Sequence, residues 1–166
     1  MRMFLSLGSN IEPRANLPRA LAELRRAFRV EAVSPTYLTA PVGDADQPDF
    51  FNLAVAVETD LAPEEVHAAL REIEDRLGRQ RDPLRPYGPR TVDLDLVLVP
   101  GVVGKFGALE LPSPLVAREA FVAQPLADLA PDLLHPTLGA PLEEVARTAL
   151  SCAARPPRLI ELESNP

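Results

Sequence analysis

The sequence contains no tryptophan, one cysteine (Cys152) and two histidines (His67 and His135). A disulfide needs a second thiol and a usual zinc site needs about four Cys or His ligands, so this chain builds neither. Any metal it binds is held by oxygen. No apolar run approaches the ~20 residues that cross a bilayer, and the opening MRMFLSLGSN turns polar too early for a secretory leader. A cytoplasmic chain without membrane contact is expected. Lysine is nearly missing as well: Lys105 is the only one, and the formal net charge is -7. Broad nucleic-acid binding needs a basic surface that displaces counterions, so no nucleic-acid partner is expected.

What is present is 46% apolar residues in 166, enough for one compact domain over residues 1–166. Met3 to Leu7 reads as a buried first strand, closed by a turn at Gly8-Ser9-Asn10. Leu17, Leu21, Leu24 and Phe28 recur at helical spacing, and Val66, Leu70, Ile73 and Leu77 repeat that stripe. Pro63 with Glu64 and Glu65 starts the second helix and Gly78 stops it. Between the helices, Val30 to Leu38 and Phe51 to Glu58 read as strands, and Val92 to Val99 forms a fourth. The order strand, helix, strand, strand, helix, strand predicts an α+β ferredoxin-like sandwich, an antiparallel sheet with both helices on one face. The other face stays open for a ligand or a further layer. An extended C-terminal region follows, with a short strand at Leu109 to Leu111, helices over Phe121 to Leu129 and Leu142 to Leu150, and a tail strand near Leu159.

In the fourth strand Val92, Leu94, Leu96 and Leu98 share one face, which sends Asp93 and Asp95 to the other. Carboxylates two residues apart on a strand lie about 7 Å from each other and repel by roughly 2 kcal/mol at an effective dielectric of 20. Something cationic is expected there, and magnesium suits two aspartates because water and phosphate oxygens complete its shell. Four arginines, Arg79, Arg81, Arg85 and Arg90, fall within one twelve-residue stretch ahead of this strand, against the global charge. Guanidiniums grip phosphate bidentately and neutralise charge that develops in phosphoryl transfer. The glycine-rich loop and lysine of a P-loop NTPase are missing, as is the protein-kinase motif set.

LGSN at 7–10, YLTAPVG at 37–43, QPDFFN at 47–52, LGRQR at 77–81 and GPRTVDLDL at 88–96 occur in one order. Together they resemble the 6-hydroxymethyl-7,8-dihydropterin pyrophosphokinases of folate synthesis over nearly the whole chain. The resemblance implies a ferredoxin-like core and ATP as co-substrate, with two Mg2+ ions on Asp93 and Asp95. It also implies pyrophosphate transfer to the pterin hydroxymethyl group, with AMP leaving. Arg79 and Arg90, with Asp95, take the catalytic places. Glu74, Arg79, Arg81, Arg85, Tyr87, Arg90, Leu96 and Arg118 match nucleotide-binding positions. Thr39, Val42, Phe50, Asn52, Asp93 and Phe121 match positions around the pterin, which lies between the two phenylalanines.

Three departures stand out. The arginine loop is one residue longer than the family's, which unsettles Arg85, and Tyr87 stands where tryptophan is usual. In LPSPLVAREAF, Ser113 replaces a histidine, and Glu119 takes an arginine's place with Arg118 one residue earlier. Competing readings are a ferredoxin-like nucleic-acid module and a family member that binds without turnover. Expected partners are the two small substrates, with the chain a monomer or weak homodimer.

Overall fold

The computed structural model describes residues 1–162. Its main sheet has six strands in the order β5 (Asp93–Leu98), β1 (Arg2–Ser9), β4 (Phe50–Glu58), β3 (Thr36–Thr39), β8 (Arg158–Ile160), with β2 (Arg29–Val33) also paired to β4. Every pairing is antiparallel. A separate hairpin joins β6 (Gly104–Phe106) and β7 (Leu109–Leu111).

Two helices, α1 (Pro13–Ala27) and α2 (Pro63–Arg76), cover one face. Strand alternation sends Met3, Leu5 and Leu7 of β1, and Leu53, Val55 and Val57 of β4, into that layer, where Leu17, Leu24, Leu70 and Ile73 meet them. Each fully buried side chain of this kind contributes roughly 1.5–3 kcal/mol. Pro63 opens α2 without losing a helical hydrogen bond, and Gly78 just beyond its end takes φ +83, a left-handed turn that glycine enters without strain.

The expectation that helices occupy one face only is corrected. A second layer, α3 (Leu115–Arg118), α4 (Ala120–Leu129) and α5 (Leu142–Cys152), covers part of the opposite face. Phe4, Ala54 and Ala56 point that way, and the alanines leave room for Val122, Ala123 and Leu126 of α4 to pack close.

Two strands differ from the sequence reading for local reasons. The expected strand over 30–38 is split at Ser34-Pro35, because proline has no N–H for the ladder. Ser34 bridges the gap: its N–H donates to the Ala54 carbonyl at 2.9 Å and its hydroxyl oxygen accepts from the Ala54 N–H at 2.8 Å. In β5 the register against β1 slips between Leu96 and Leu98. Alternation therefore fails, Val97 and Leu98 both joining the α4 and α5 layer while Val99 returns to the α1 and α2 core. Gly8 and Ser9, expected as a turn, continue β1.

Candidate active site

The face that the second layer leaves uncovered carries the site. Two rows of register partners cross it: Asp93 opposite Gly8, with Gly8 opposite Asn52, and Asp95 opposite Ser6, with Ser6 opposite Ala54. Cross-strand partners share a face, so both aspartates look the same way, as alternation predicts. Gly8 is required between Asp93 and Asn52, since a Cβ there would lie 2.7 Å from Asn52 Oδ1.

Above these rows lies a cavity of about 220 Å³. Nine residues singled out in the sequence line it: Thr39, Val42, Phe50, Asn52, Tyr87, Arg90, Asp93, Asp95 and Phe121. Phe121 arrives on the first turn of α4 and Phe50 on the first residue of β4. Asn52 is buried and donates through Nδ2 to Thr39 Oγ1 at 2.5 Å, which fixes its amide and leaves the carbonyl oxygen free to accept. Tyr87 lies at the mouth of this cavity, packed over Gly43, rather than in the arginine groove. Glu119 also lines the cavity, and burial raises its pKa.

A second, larger cavity of about 680 Å³ is walled by the loop after α2. Arg79, Arg81, Arg85 and Arg90 all line it, and Arg90 borders both cavities. The aspartates of β5 thus line the aromatic-walled cavity, and Asp93 is joined to the guanidinium-lined groove through Arg79 and Arg90.

The charges are paired tightly. Asp93 receives Arg79 through Oδ1 at 2.5 Å and Arg90 through Oδ2. Asp95 Oδ1 accepts from Arg71 Nη2 at 2.7 Å. Glu74, 0% exposed beneath them, accepts the Leu94 N–H at 2.7 Å, Arg81 at 2.7 Å and Arg79, and pairs with Arg71 at 2.9 Å. The cation expected beside the aspartates is therefore arginine here, and four guanidiniums surround three carboxylates. Burial raises the pKa of Asp95, and the neighbouring Asp93 charge adds to it. Burial likewise raises that of Glu74, opposed by the Leu94 N–H and the arginines. Burial works against the charge of Arg79, but Asp93 and Glu74 outweigh it and its pKa rises.

Among the described residues no three His, Cys, Asp or Glu side chains gather into a metal cage. A divalent cation would take two carboxylates from Asp93 and Asp95 and its remaining oxygens from phosphate and water. Magnesium accepts that donor set.

Three predicted contacts are not brought to either cavity. Glu74 is fully buried beneath the aspartates and meets the site only through Arg71, Arg79 and Arg81. Leu96 sits in the α1 and α2 core, because alternation turns it away from Asp93 and Asp95. Arg118, the last residue of α3, lines a separate cavity with Lys105, Ser113 and His135, since the chain leaves the helix at Glu119, whose extended backbone (φ -112, ψ 116) sends the two side chains to different cavities. Ser113 accepts the Leu115 N–H at 3.3 Å there and reaches neither site cavity. His135 is buried beside a turn, its Nδ1 facing the N–H groups of Thr137 and Leu138.

Sequence reasoning missed Asn10, Gln47 and Arg71 as site-building residues. Asn10 accepts the Arg90 N–H at 2.8 Å and donates to Gln47 Oε1 at 2.9 Å and the Pro48 carbonyl at 3.0 Å. It ties the end of β1 to both loops over the site. Gln47 donates to the carbonyls of Asp44 and Tyr87, and Arg85 grips Asp44 through Nε at 2.9 Å and Nη2 at 2.5 Å. Asn10 and Gln47 fall inside the LGSN and QPDFFN motifs, which was the available signal. Arg71 lies in no motif, and only its position one helical turn before Glu74 hinted at it.

A family profile described as 7,8-dihydro-6-hydroxymethylpterin-pyrophosphokinase (HPPK) matches residues 4–131. The 2-amino-4-hydroxy-6-hydroxymethyldihydropteridine pyrophosphokinase of Pseudomonas aeruginosa is 46% identical over 138 residues, covering 81% of this chain and 84% of that protein. The Dictyostelium discoideum folic acid synthesis protein FOL1 is 34% identical over 137 residues, 82% of this chain but only 20% of that much longer protein. Among solved structures, wild-type Plasmodium falciparum HPPK-DHPS with STZ-DHP superposes with a TM-score of 0.71 at 13% identity, covering 90% of this chain and 43% of that one. That likeness speaks to the fold, and the chain spans less than half of the solved protein. Profile, relatives and architecture agree, and the chain belongs to the 7,8-dihydro-6-hydroxymethylpterin-pyrophosphokinase family.

Proposed function

We propose that this protein transfers pyrophosphate from ATP to 6-hydroxymethyl-7,8-dihydropterin, giving AMP and the pterin diphosphate. The observation that carries the reading is the meeting of two unlike cavities at Arg90, which is paired to Asp93. The smaller suits a flat heterocycle, with Phe50 and Phe121 as walls and Asn52 offering a fixed amide to its polar edge. The larger suits a triphosphate, with Arg79, Arg81, Arg85 and Arg90 along it.

Asp93 and Asp95 would hold magnesium, two ions by family resemblance, which when bound neutralises phosphate charge and lowers the barrier to attack at the β-phosphorus. Phe50, Asn52 and Phe121 orient the ring so that its hydroxymethyl oxygen faces the dyad. Arg79 and Arg90, released from Asp93, stabilise the negative charge on the transferring group as the bond to the α-phosphate oxygen breaks. Arg81 and Arg85 position the nucleotide from the loop. Leu96 contributes no side chain, and Arg118 is not needed.

The reading treats residues 1–166 as one domain of a cytoplasmic enzyme acting as a monomer or weak homodimer on these two small molecules. It is supported by the tail strand β8 completing the sheet beside β3, and no helix among the described residues is long and apolar enough to cross a membrane. We further infer a ferredoxin-like core for residues 2–98, supported by the order β5-β1-β4 with β2 and β3 beyond and by α1 and α2 sharing one face.

The test is incubation of the purified protein with ATP, Mg2+ and the pterin. AMP and pterin diphosphate in equal amounts are expected; ADP, or no pterin-dependent turnover, overturns the proposal. Glu119 in the pterin cavity favours one second reading, binding without turnover, which the same assay separates when combined with pterin titration by calorimetry.

A further inference from the structure

Arg71 is the one cation of the network that neither motif nor groove accounts for. It projects from α2, one turn before Glu74, and divides its fork between two carboxylates. Nη1 contacts Glu74 Oε2 at 2.9 Å, while Nη2 contacts Asp95 Oδ1 at 2.7 Å and also donates to the Leu94 carbonyl. Among the described residues it is the only side chain bonded to Asp95. Its Nε is buried with no partner, so the guanidinium is not fully satisfied where it sits.

A cation and Arg71 cannot use Asp95 in the same way. Magnesium binds carboxylate oxygen at about 2.0–2.1 Å, and at Oδ1 that space is taken by the Arg71 donor, which leaves only Oδ2 to a metal. A divalent charge brought that close is also repelled by the guanidinium. Asp93 is comparable, held on both oxygens by Arg79 and Arg90, but those arginines border the groove and have phosphate to move to. Arg71 lines neither cavity and stays anchored to Glu74.

We propose that Arg71 stands in for the divalent cation at Asp95 in the nucleotide-free protein, so that free metal is excluded and metal enters only with the nucleotide. The inference rests on the assignment of Asp95 as a metal ligand and adds what sets the order of occupation. Arg71 is thus a positioning residue that makes two binding events conditional on each other.

The test titrates Mn2+ into the nucleotide-free protein, reading free Mn2+ by electron paramagnetic resonance, and repeats it with α,β-methylene-ATP present. Arg71→Gln is expected to bind Mn2+ alone about tenfold more tightly than the wild type, a change of ~1.4 kcal/mol, with the gap narrowing once the analogue is bound. Arg71→Lys, which keeps the charge but loses the fork, is expected to fall between and serves if the glutamine variant does not fold. Arg81→Gln removes an equal charge from the same network without touching Asp95 and is expected to change Mn2+ affinity little. Equal affinity in Arg71→Gln and the wild type, or an equal gain in Arg81→Gln, overturns the proposal. Asp95→Asn isolates the underlying assignment: unchanged Mn2+ binding there removes the metal site itself, whereas lost binding there with no gain in Arg71→Gln overturns only the stand-in.

Discussion

Replacing Glu74 with alanine tests the network from below. The carboxylate is 0% exposed, accepts three hydrogen bonds, from Leu94 N–H, Arg79 and Arg81, and forms an ion pair with Arg71. Its loss leaves the buried Leu94 N–H without an acceptor, at a cost of about 1–3 kcal/mol. Removing one partner of a buried ion pair costs about 3–5 kcal/mol because the other charge is stranded. The three arginines do not strand equally. Arg81 is 47% exposed and keeps Asp75, and Arg71 keeps Asp95, but Arg79 is only 11% exposed and retains Asp93 alone. The costs overlap, so about 3 kcal/mol is expected, toward the low end of the buried-pair range. In urea, with a slope of about 2 kcal/mol/M, the unfolding midpoint followed by circular dichroism falls by about 1.5 M. Glu74→Gln keeps an acceptor for Leu94 and is expected to lose about half as much. A loss below about 1 kcal/mol for alanine would show that desolvating this carboxylate cancels its contacts, and would refute the view that it fastens α2 to β5.

Asp95→Ala is expected to abolish AMP formation while leaving the far-ultraviolet spectrum unchanged, because its side chain is 40% exposed and Arg71 keeps Glu74; retained turnover would sink the metal assignment. Gly8→Ala places a methyl 2.7 Å from Asn52 Oδ1, so the pterin KM is expected to rise at least tenfold with overpacking of about 1–3 kcal/mol, and an unchanged KM would refute the close-approach argument. Arg85→Ala breaks an exposed clip to Asp44 and is expected to leave the melting temperature unchanged while speeding amide exchange over residues 41–47; equal exchange in both proteins would deny the clip a role. Burial holds the pKa of His135 below its ordinary value of about 6.5, so as pH falls from 7 to 5 the unfolded chain takes up a proton that the folded chain refuses, and stability drops. His67 is shifted the same way, by burial and then Arg71, so His135→Asn should flatten the fall in melting temperature only in part; an unaltered slope refutes it.

The features legible in the sequence were those with a short period or a sharp boundary. α2 follows from its stripe, Pro63 and Gly78, and β4 from strict alternation between Phe51 and Val57. Alternation also placed Asp93 and Asp95 together, and ordered motifs placed Phe50, Asn52 and Phe121 around one cavity. Illegible were the effects that depend on a partner strand. The slip that turns Leu98 is set by pairing with β1, and the break at Ser34 by pairing with Ala54. The second helical layer was hidden because Ala54 and Ala56 are as compatible with an open face as with a covered one. Arg118 and Leu96 line neither cavity because matching a position says which residue is near, whereas the end of α3 and the strand face decide where its side chain goes. Arg71 was invisible since its role comes from reaching across to β5, 24 positions along the chain.

The irregularity in β5 also separates two kinds of tolerance within a single strand. Ahead of it, Asp93 and Asp95 answer to chemistry, and their neighbours on that face must stay small or polar. Behind it, Leu98 answers to volume alone, packed with α4 and α5, while Val97 packs there and also lines the smaller cavity. A straight strand would force one alternating pattern on both stretches, so that a change of packing at its far end would be transmitted as a change of register at the carboxylates. With the extra residue in between, the packed end can be redesigned with other aliphatic residues while the reactive end keeps its aim, and a deletion at Val97, which restores the straight strand, should disturb the carboxylates more than any single substitution behind it.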